Sequence, residues 1–99
     1  MGKKVSELEG AELDLWVLRA ERGDPGLVIR GIPQPYSTEW SVGGPIIERE
    51  RIELHTGSAG KPFWVAYCGA GDLRGTGDSA LTAAMRAYVA SKFGEEVPG

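Results

Sequence analysis

Cysteine and histidine are nearly missing from this chain, with one of each, Cys68 and His55. A lone thiol excludes an internal disulfide, and one thiol with one imidazole cannot furnish the ligand set of a zinc site. No stretch approaches the roughly 20 apolar residues of a membrane span, and no apolar region follows Lys3-Lys4 as a secretory signal would require. Positive charge is also short, since 11 Lys and Arg stand against 14 Asp and Glu, a formal net charge of −3. Such a chain has no global field with which to displace counterions from a nucleic-acid backbone, so nucleic acid is not the expected partner. These shortages lead to the expectation of a small acidic protein of a reducing cytoplasm, with no metal, cofactor or membrane.

What is present is ordinary in amount. The 99 residues are 41% apolar and 25% charged, enough for one hydrophobic core and too few for separate cofactor and catalytic domains. A single domain over 1–99 is expected, ordered from about residue 6 to about 94, with loose ends at 1–4 and 95–99.

Ser6-Glu7-Leu8-Glu9 has the spacing of a capping box, and Leu8, Ala11, Leu15 and Leu18 recur at helical spacing. A first helix therefore opens near Ser6, or at Gly10, and ends at Gly23. Asp24-Pro25-Gly26 signals a turn, and the short β-branched run Leu27-Val28-Ile29-Arg30 reads as a first strand. Residues 52–55 alternate apolar with polar and read as a second strand. The small residues 56–61 form a hairpin loop into a third strand at 63–68. That strand places Phe63, Val65 and Tyr67 on one face and Trp64, Ala66 and Cys68 on the other. Residues 69–77, rich in glycine, read as a flexible loop, with Asp78 or Ser79 as the cap of a second helix. Leu81, Ala84, Met85, Tyr88 and Val89 trace that helix, with Arg86 and Lys92 outward and Gly94 as terminator. The order is α-β-β-β-α. It implies an α+β fold in which two helices pack on one face of a three-stranded, mostly antiparallel sheet, with a long irregular loop between strands 1 and 2.

That loop sets large aromatics among residues that resist regular structure: Pro33-Gln-Pro-Tyr36-Ser-Thr-Glu-Trp40-Ser-Val-Gly43-Gly44-Pro45-Ile46-Ile47. Long structureless segments are uncommon in small domains unless they serve a site or cover a core. Two explanations follow. The segment is a lid on the second apolar face of strand 3, or Tyr36, Trp40 and the Gly43-Gly44-Pro45 turn form a groove for a protein partner, with Arg49 and Arg51 guiding an acidic rim.

Three blocks of the sequence stand out: Ser6-Glu-Leu-x-Gly10-x-x-Leu13-Asp14-x-x-Val17, then Tyr36-Ser-Thr-x-Trp40-x-x-Gly43-Gly-Pro-Ile-Ile-Glu-Arg49, and Ala83-Ala-Met-Arg-x-Tyr88-Val-Ala-Ser-x-x-Gly94-x-x-Val97. Together they resemble the small NinX-like family of bacteriophages and prophages, a family without an assigned activity. The middle block is the most specific. The resemblance implies a bacterial, cytoplasmic protein of prophage origin and transfers no catalytic residue.

Other motifs carry less. The 69–77 loop before a helix lacks the third glycine of a dinucleotide fingerprint, having Arg74 at that position, and Asp72 and Asp78 would repel phosphate. The element order matches the double-stranded RNA-binding domain, yet Ala80, Leu81 and Ala84 stand where lysines would grip phosphates. His55 reads as a solvated strand residue, Cys68 as a buried thiol, and Glu48, Glu50 and Glu53 as a charged edge. The reading is a non-catalytic protein-interaction module using the segment 36–51, with Tyr36, Trp40, Gly43, Gly44, Pro45, Arg49 and Arg51 as contact residues. Its alternatives are a nucleic-acid-associated protein or a small-molecule-binding protein using residues 69–77.

Overall fold

Helix 1 begins where the backbone, not a side chain, makes the turn. In the computed structural model, which describes residues 2–57, 63–69 and 73–98, a short strand β1 (Gly2–Lys4) runs into a 3₁₀ turn (Val5–Glu7) and then α1 (Gly10–Arg22). Neither helical start has a side-chain cap, so the expected capping box at Ser6 does not form. Val5 and Leu8 are buried instead, which fixes this stretch by apolar contact. α1 ends as the sequence predicts, with Gly23 at φ 66° and its N–H bonded to the Ala20 carbonyl. Asp24 N–H closes back onto Arg19 O at 3.0 Å, the paired bonds of a Schellman ending. The Asp24-Pro25-Gly26 turn also forms, the Gly26 N–H donating to Asp24 Oδ1 at 2.9 Å.

The next thirty residues depart from expectation. Leu27-Val28-Ile29-Arg30 is not a strand, because no neighbouring strand pairs with it; the Arg19 guanidinium donates to Leu27 O at 2.9 Å instead. The aromatic loop becomes helix α2 (Trp40–Glu50), with Pro45 inside it. Pro45 lies beyond the first turn, so the helix forgoes one N–H bond there, and the ring is turned to solvent. Gly43 is a packing residue: a Cβ at this position would strike the Tyr36 carbonyl and come within 2.7 Å of Leu81 Cδ1. α2 closes on Arg51, which takes the left-handed conformation at φ 52° without being glycine.

Strands β2 (Glu53–Gly57), β3 (Phe63–Tyr67) and β4 (Arg74–Gly77) form an antiparallel sheet in the order β2-β3-β4. The β2/β3 pairing matches the sequence reading, with Leu54 opposite Ala66 and Thr56 opposite Trp64. The third strand is a correction, since residues 74–77 were expected to be loop; Ala66 faces Gly75 across β3 and β4. Thr56 and Gly57, expected in the hairpin loop, extend β2 instead and pair with Trp64 and Phe63; the rest of that loop, 58–61, with Pro62 and residues 70–72, lies outside the described residues.

Helix α3 (Ala80–Phe93) confirms the strongest periodicity in the chain. Ser79 accepts the Thr82 N–H at 3.1 Å as its cap, and Gly94 ends it. Its alanines reach a sheet surface made of Ala66, Cys68 and Gly75, and Leu54 and Trp64 pack beside them. On its other sides α3 meets α1 and α2, so α2 packs on this helix and does not cover the outer face of the sheet as a lid would. Phe63, Val65 and Tyr67 remain half-buried on that outer face. The ends expected to fray contribute paired strands: β1 runs antiparallel to β5 (Glu96–Pro98), with Lys3 opposite Val97, and Val97 is buried. The architecture is therefore α+β, with three α-helices and two antiparallel sheets.

The tightest approach in this packing lies at Gly75, where an added Cβ would collide with the Ala83 carbonyl and the Ala87 N–H of α3. Gly75→Ala is expected to cost upwards of about 3 kcal/mol or to abolish folding, as overpacking a rigid seam does. Gly44 is the internal control, since its Cβ would meet only the Trp40 ring at 3.7 Å. Gly44→Ala should stabilise the chain by about 0.5–1 kcal/mol by removing a helical glycine. Urea unfolding midpoints at constant m-value measure both.

Candidate functional site

The segment nominated by the sequence divides between interior and surface. Tyr36 is 9% exposed and belongs to the core, whereas Trp40, four residues later, is 54% exposed. The division follows from how the turn before α2 is anchored. Asp14, buried on α1, accepts the Ser37 N–H at 2.8 Å. The turn closes with Glu39 N–H on Pro35 O at 2.9 Å. From α3, Thr82 Oγ1 donates to Ser37 O at 3.5 Å. This clamp holds Tyr36 inward, where burial raises its phenol above the ordinary range. The Ser37 hydroxyl, enclosed with it, has no hydrogen-bond partner among the described residues.

Arg49 is likewise committed. Its Nη2 and Nη1 donate to the two Glu21 oxygens at 2.6 and 3.2 Å, and its Nε donates to Glu50 at 2.9 Å. Tyr88 O–H donates to Glu21 Oε2 at 2.6 Å. This network ties α1, α2 and α3 together, so Arg49 is a structural clamp whose guanidinium is held firmly protonated by its bonds to Glu21 and Glu50. Gly43 is in the core, as described above. Of the seven nominated residues, Trp40, Pro45 and Arg51 are exposed and Gly44 is half-exposed; Tyr36 and Gly43 are interior, and Arg49 is engaged. Val28 and Ile32, which the sequence reading did not nominate, are 84% and 89% exposed. The signal available for them was a pair of β-branched residues beside Gly31 and Pro33 in a segment with no partner strand.

The residues considered for catalysis are set apart. His55 lies on the outer face of the sheet with Glu53 at 3.8 Å and its ring edge-on to Tyr67. Cys68 is buried under α3 beside Ser91 Oγ at 3.5 Å, and burial pushes its thiol up. The first turn of α3, where the RNA-binding reading would need cations, follows exposed Asp78 and Ser79 and begins Ala80-Leu81. Arg86, expected outward, turns in to donate to Leu8 O at 2.8 Å and Thr76 O at 2.7 Å. Among the described residues no cluster of His, Cys, Asp and Glu could hold a metal, and no helix is long and apolar enough to cross a membrane.

The Glu21 network has a definite pH signature. Burial opposes ionisation of Glu21, but the hydrogen bonds from Arg49 and Tyr88 outweigh it and hold the carboxyl below its usual range. A carboxyl lowered in the folded state contributes stability that is fully present above the unfolded value and is lost as pH falls through the folded one. Stability should therefore decline below about pH 4.5, and Glu21→Gln should flatten that decline. The increment is about 1 kcal/mol or less once solvent screening is applied. Urea midpoints of both proteins between pH 3 and 7 provide the check, to be read near the ordinary carboxylate range.

Comparison with known proteins places these elements in a family. The sequence model of the family described as Bacteriophage P22, NinX, matches residues 32–92, a span that holds the clamped turn, α2, the three-stranded sheet and nearly all of α3. No curated protein matches the chain. With more than half of its length covered by that match, the chain belongs to the bacteriophage P22 NinX family.

Proposed function

We propose that this phage accessory protein works without catalysis in the bacterial cytoplasm, by holding another protein on the surface formed by residues 28–40 and the exposed side of α2. The observation that carries the reading is the placement of Val28, Ile32 and Trp40. These are the large apolar side chains that stand well exposed among the described residues, and all of them fall in this one stretch. Exposed apolar side chains concentrated in one segment of chain mark an interaction surface more often than single ones scattered along it do. Trp40 offers a large rigid contact at low entropy cost, the character of a binding anchor. Arg30 is exposed within the stretch and suits an acidic rim on the partner, and Arg51, also exposed, stands at the far end of α2. The proposed surface is thus displaced from the full 36–51 segment toward Trp40 and the residues before it, because Tyr36, Gly43 and Arg49 hold the fold together.

The test separates the anchor from the clamp. Tagged wild-type protein, Trp40→Ser and Ile32→Ser would be used to capture partners from a lysate of phage-infected cells, with urea midpoints measured in parallel. The expected outcome is a captured protein that both variants lose, while stability changes by less than about 1 kcal/mol. Tyr36→Ala should instead lower stability by about 3 kcal/mol. Undiminished capture by both surface variants would overturn the proposal.

A further inference from the structure

A cleft of about 460 Å³ opens between the start of α3, the end of β4 and the residue before α1, with Glu9, Phe63, Asp78, Ser79, Thr82 and Arg86 in its wall. Its volume falls in the range of small-molecule sites. Arg86 is the informative residue. It is half-buried, and its Nε and Nη1 are fixed by the carbonyls of Leu8 and Thr76 at 2.8 and 2.7 Å. Two bonds at different nitrogens fix the plane of a guanidinium, so the direction of the rest of the group is set in advance. A guanidinium has five N–H donors; the two bonds leave both hydrogens of Nη2 and one of Nη1 uncommitted among the described residues. No carboxylate of the described residues lies within ion-pair distance of Arg86, although Glu9 and Asp78 are close enough for their charge to be felt there.

The cleft therefore carries one oriented cation in its wall and two carboxylates, Glu9 and Asp78, exposed at a remove from it. A dianion such as phosphate would meet Arg86 but be repelled by both acids. A simple cation would meet the acids but be repelled by Arg86. A ligand bearing both charges satisfies both ends and supplies the half-desolvated guanidinium with the counter-ion it lacks. Phe63 gives the wall an apolar patch for a hydrocarbon side chain.

We propose that this cleft binds a small zwitterion of amino-acid size, its carboxylate on the Arg86 guanidinium and its ammonium between Glu9 and Asp78. The site shares no residue with the proposed protein-binding surface, so either reading can fail without the other.

The experiment is an amide-resolved NMR titration of the full chain with L-leucine, with 4-methylpentanoate, which lacks the ammonium, with 3-methylbutylamine, which lacks the carboxylate, and with inorganic phosphate. Leucine should give saturable shifts at Asp78, Ser79 and Thr82, with each half-ligand weaker by about tenfold, the worth of one lost charged contact. The double variant Glu9→Gln/Asp78→Asn should lose affinity for leucine by a similar factor while leaving 4-methylpentanoate no weaker. Its residues are exposed and make no fold-holding bond among those described, so its result stands even where Arg86→Lys fails to fold. Arg86→Lys, where folded, should weaken both leucine and 4-methylpentanoate. The proposal is overturned by the absence of saturable leucine shifts at roughly 50 mM, a concentration that would reveal even weak small-ligand binding. It is equally overturned by phosphate or either half-ligand binding as tightly as leucine, or by a double variant that binds leucine unchanged.

Discussion

Between the backbone of Gly75 and the carbonyl of Ala83 there is no space for a methyl group, and the rest of the protein is arranged around that contact. Small residues on both sides, Gly75 and Ala66 on the sheet and the alanines of α3, let the helix axis settle close to the strands. The closeness buries α3 on nearly every side, which makes it the spine of the molecule and not a covering helix. α1 and α2 then dock on the surfaces of α3 that the sheet leaves open. Trp16 braces this arrangement from α1, edge-on to Phe93 with ring centroids 5.6 Å apart.

The same seam explains what was legible in the sequence. α3 could be read because its pattern, cap and terminating glycine all agree. β2 could be read because residues 52–55 alternate apolar with polar, and β3 because a short, aromatic-rich apolar run stands between turn residues. β4 could not, since Gly75 and Gly77 look like loop residues by composition, and only the helix lying against them shows why side chains are missing there. α2 was hidden for a related reason. Gly43-Gly44-Pro45 reads as a helix breaker, yet Gly43 is needed where α2 passes the Tyr36 carbonyl and Leu81. Leu27-Val28-Ile29-Arg30 failed in the opposite sense: its residues favour a strand, but strand propensity counts only where another strand is within reach.

The candidate site was partly legible, and the part that was missed has a chemical cause. Tyrosine, tryptophan and arginine are the residues that dominate binding surfaces, and they are equally suited to internal brackets. Here Arg49 closes on Glu21 and Tyr88, and Tyr36 is drawn in by the clamp of Asp14 and Thr82 around Ser37. The Asp14–Ser37 and Arg49–Tyr88 contacts join the three blocks that carry the family resemblance, the first running into α1, the second covering the turn and α2, and the third lying mostly in α3. Much of the motif is therefore accounted for by internal bonding, which leaves Trp40 as the aromatic member whose side chain faces water.

The ribbon of β1 and β5 links the beginning of the described chain to its end. Pairing Lys3 with Val97 closes a loop that encloses the helices and the three-stranded sheet, and a loop of that length carries a large closure entropy. Val5, Leu8 and Val97 share one buried cluster, so that entropy is offset by apolar burial at the place where the loop closes. The ribbon works as a belt, and a chain that lost either end of it would expose part of its centre.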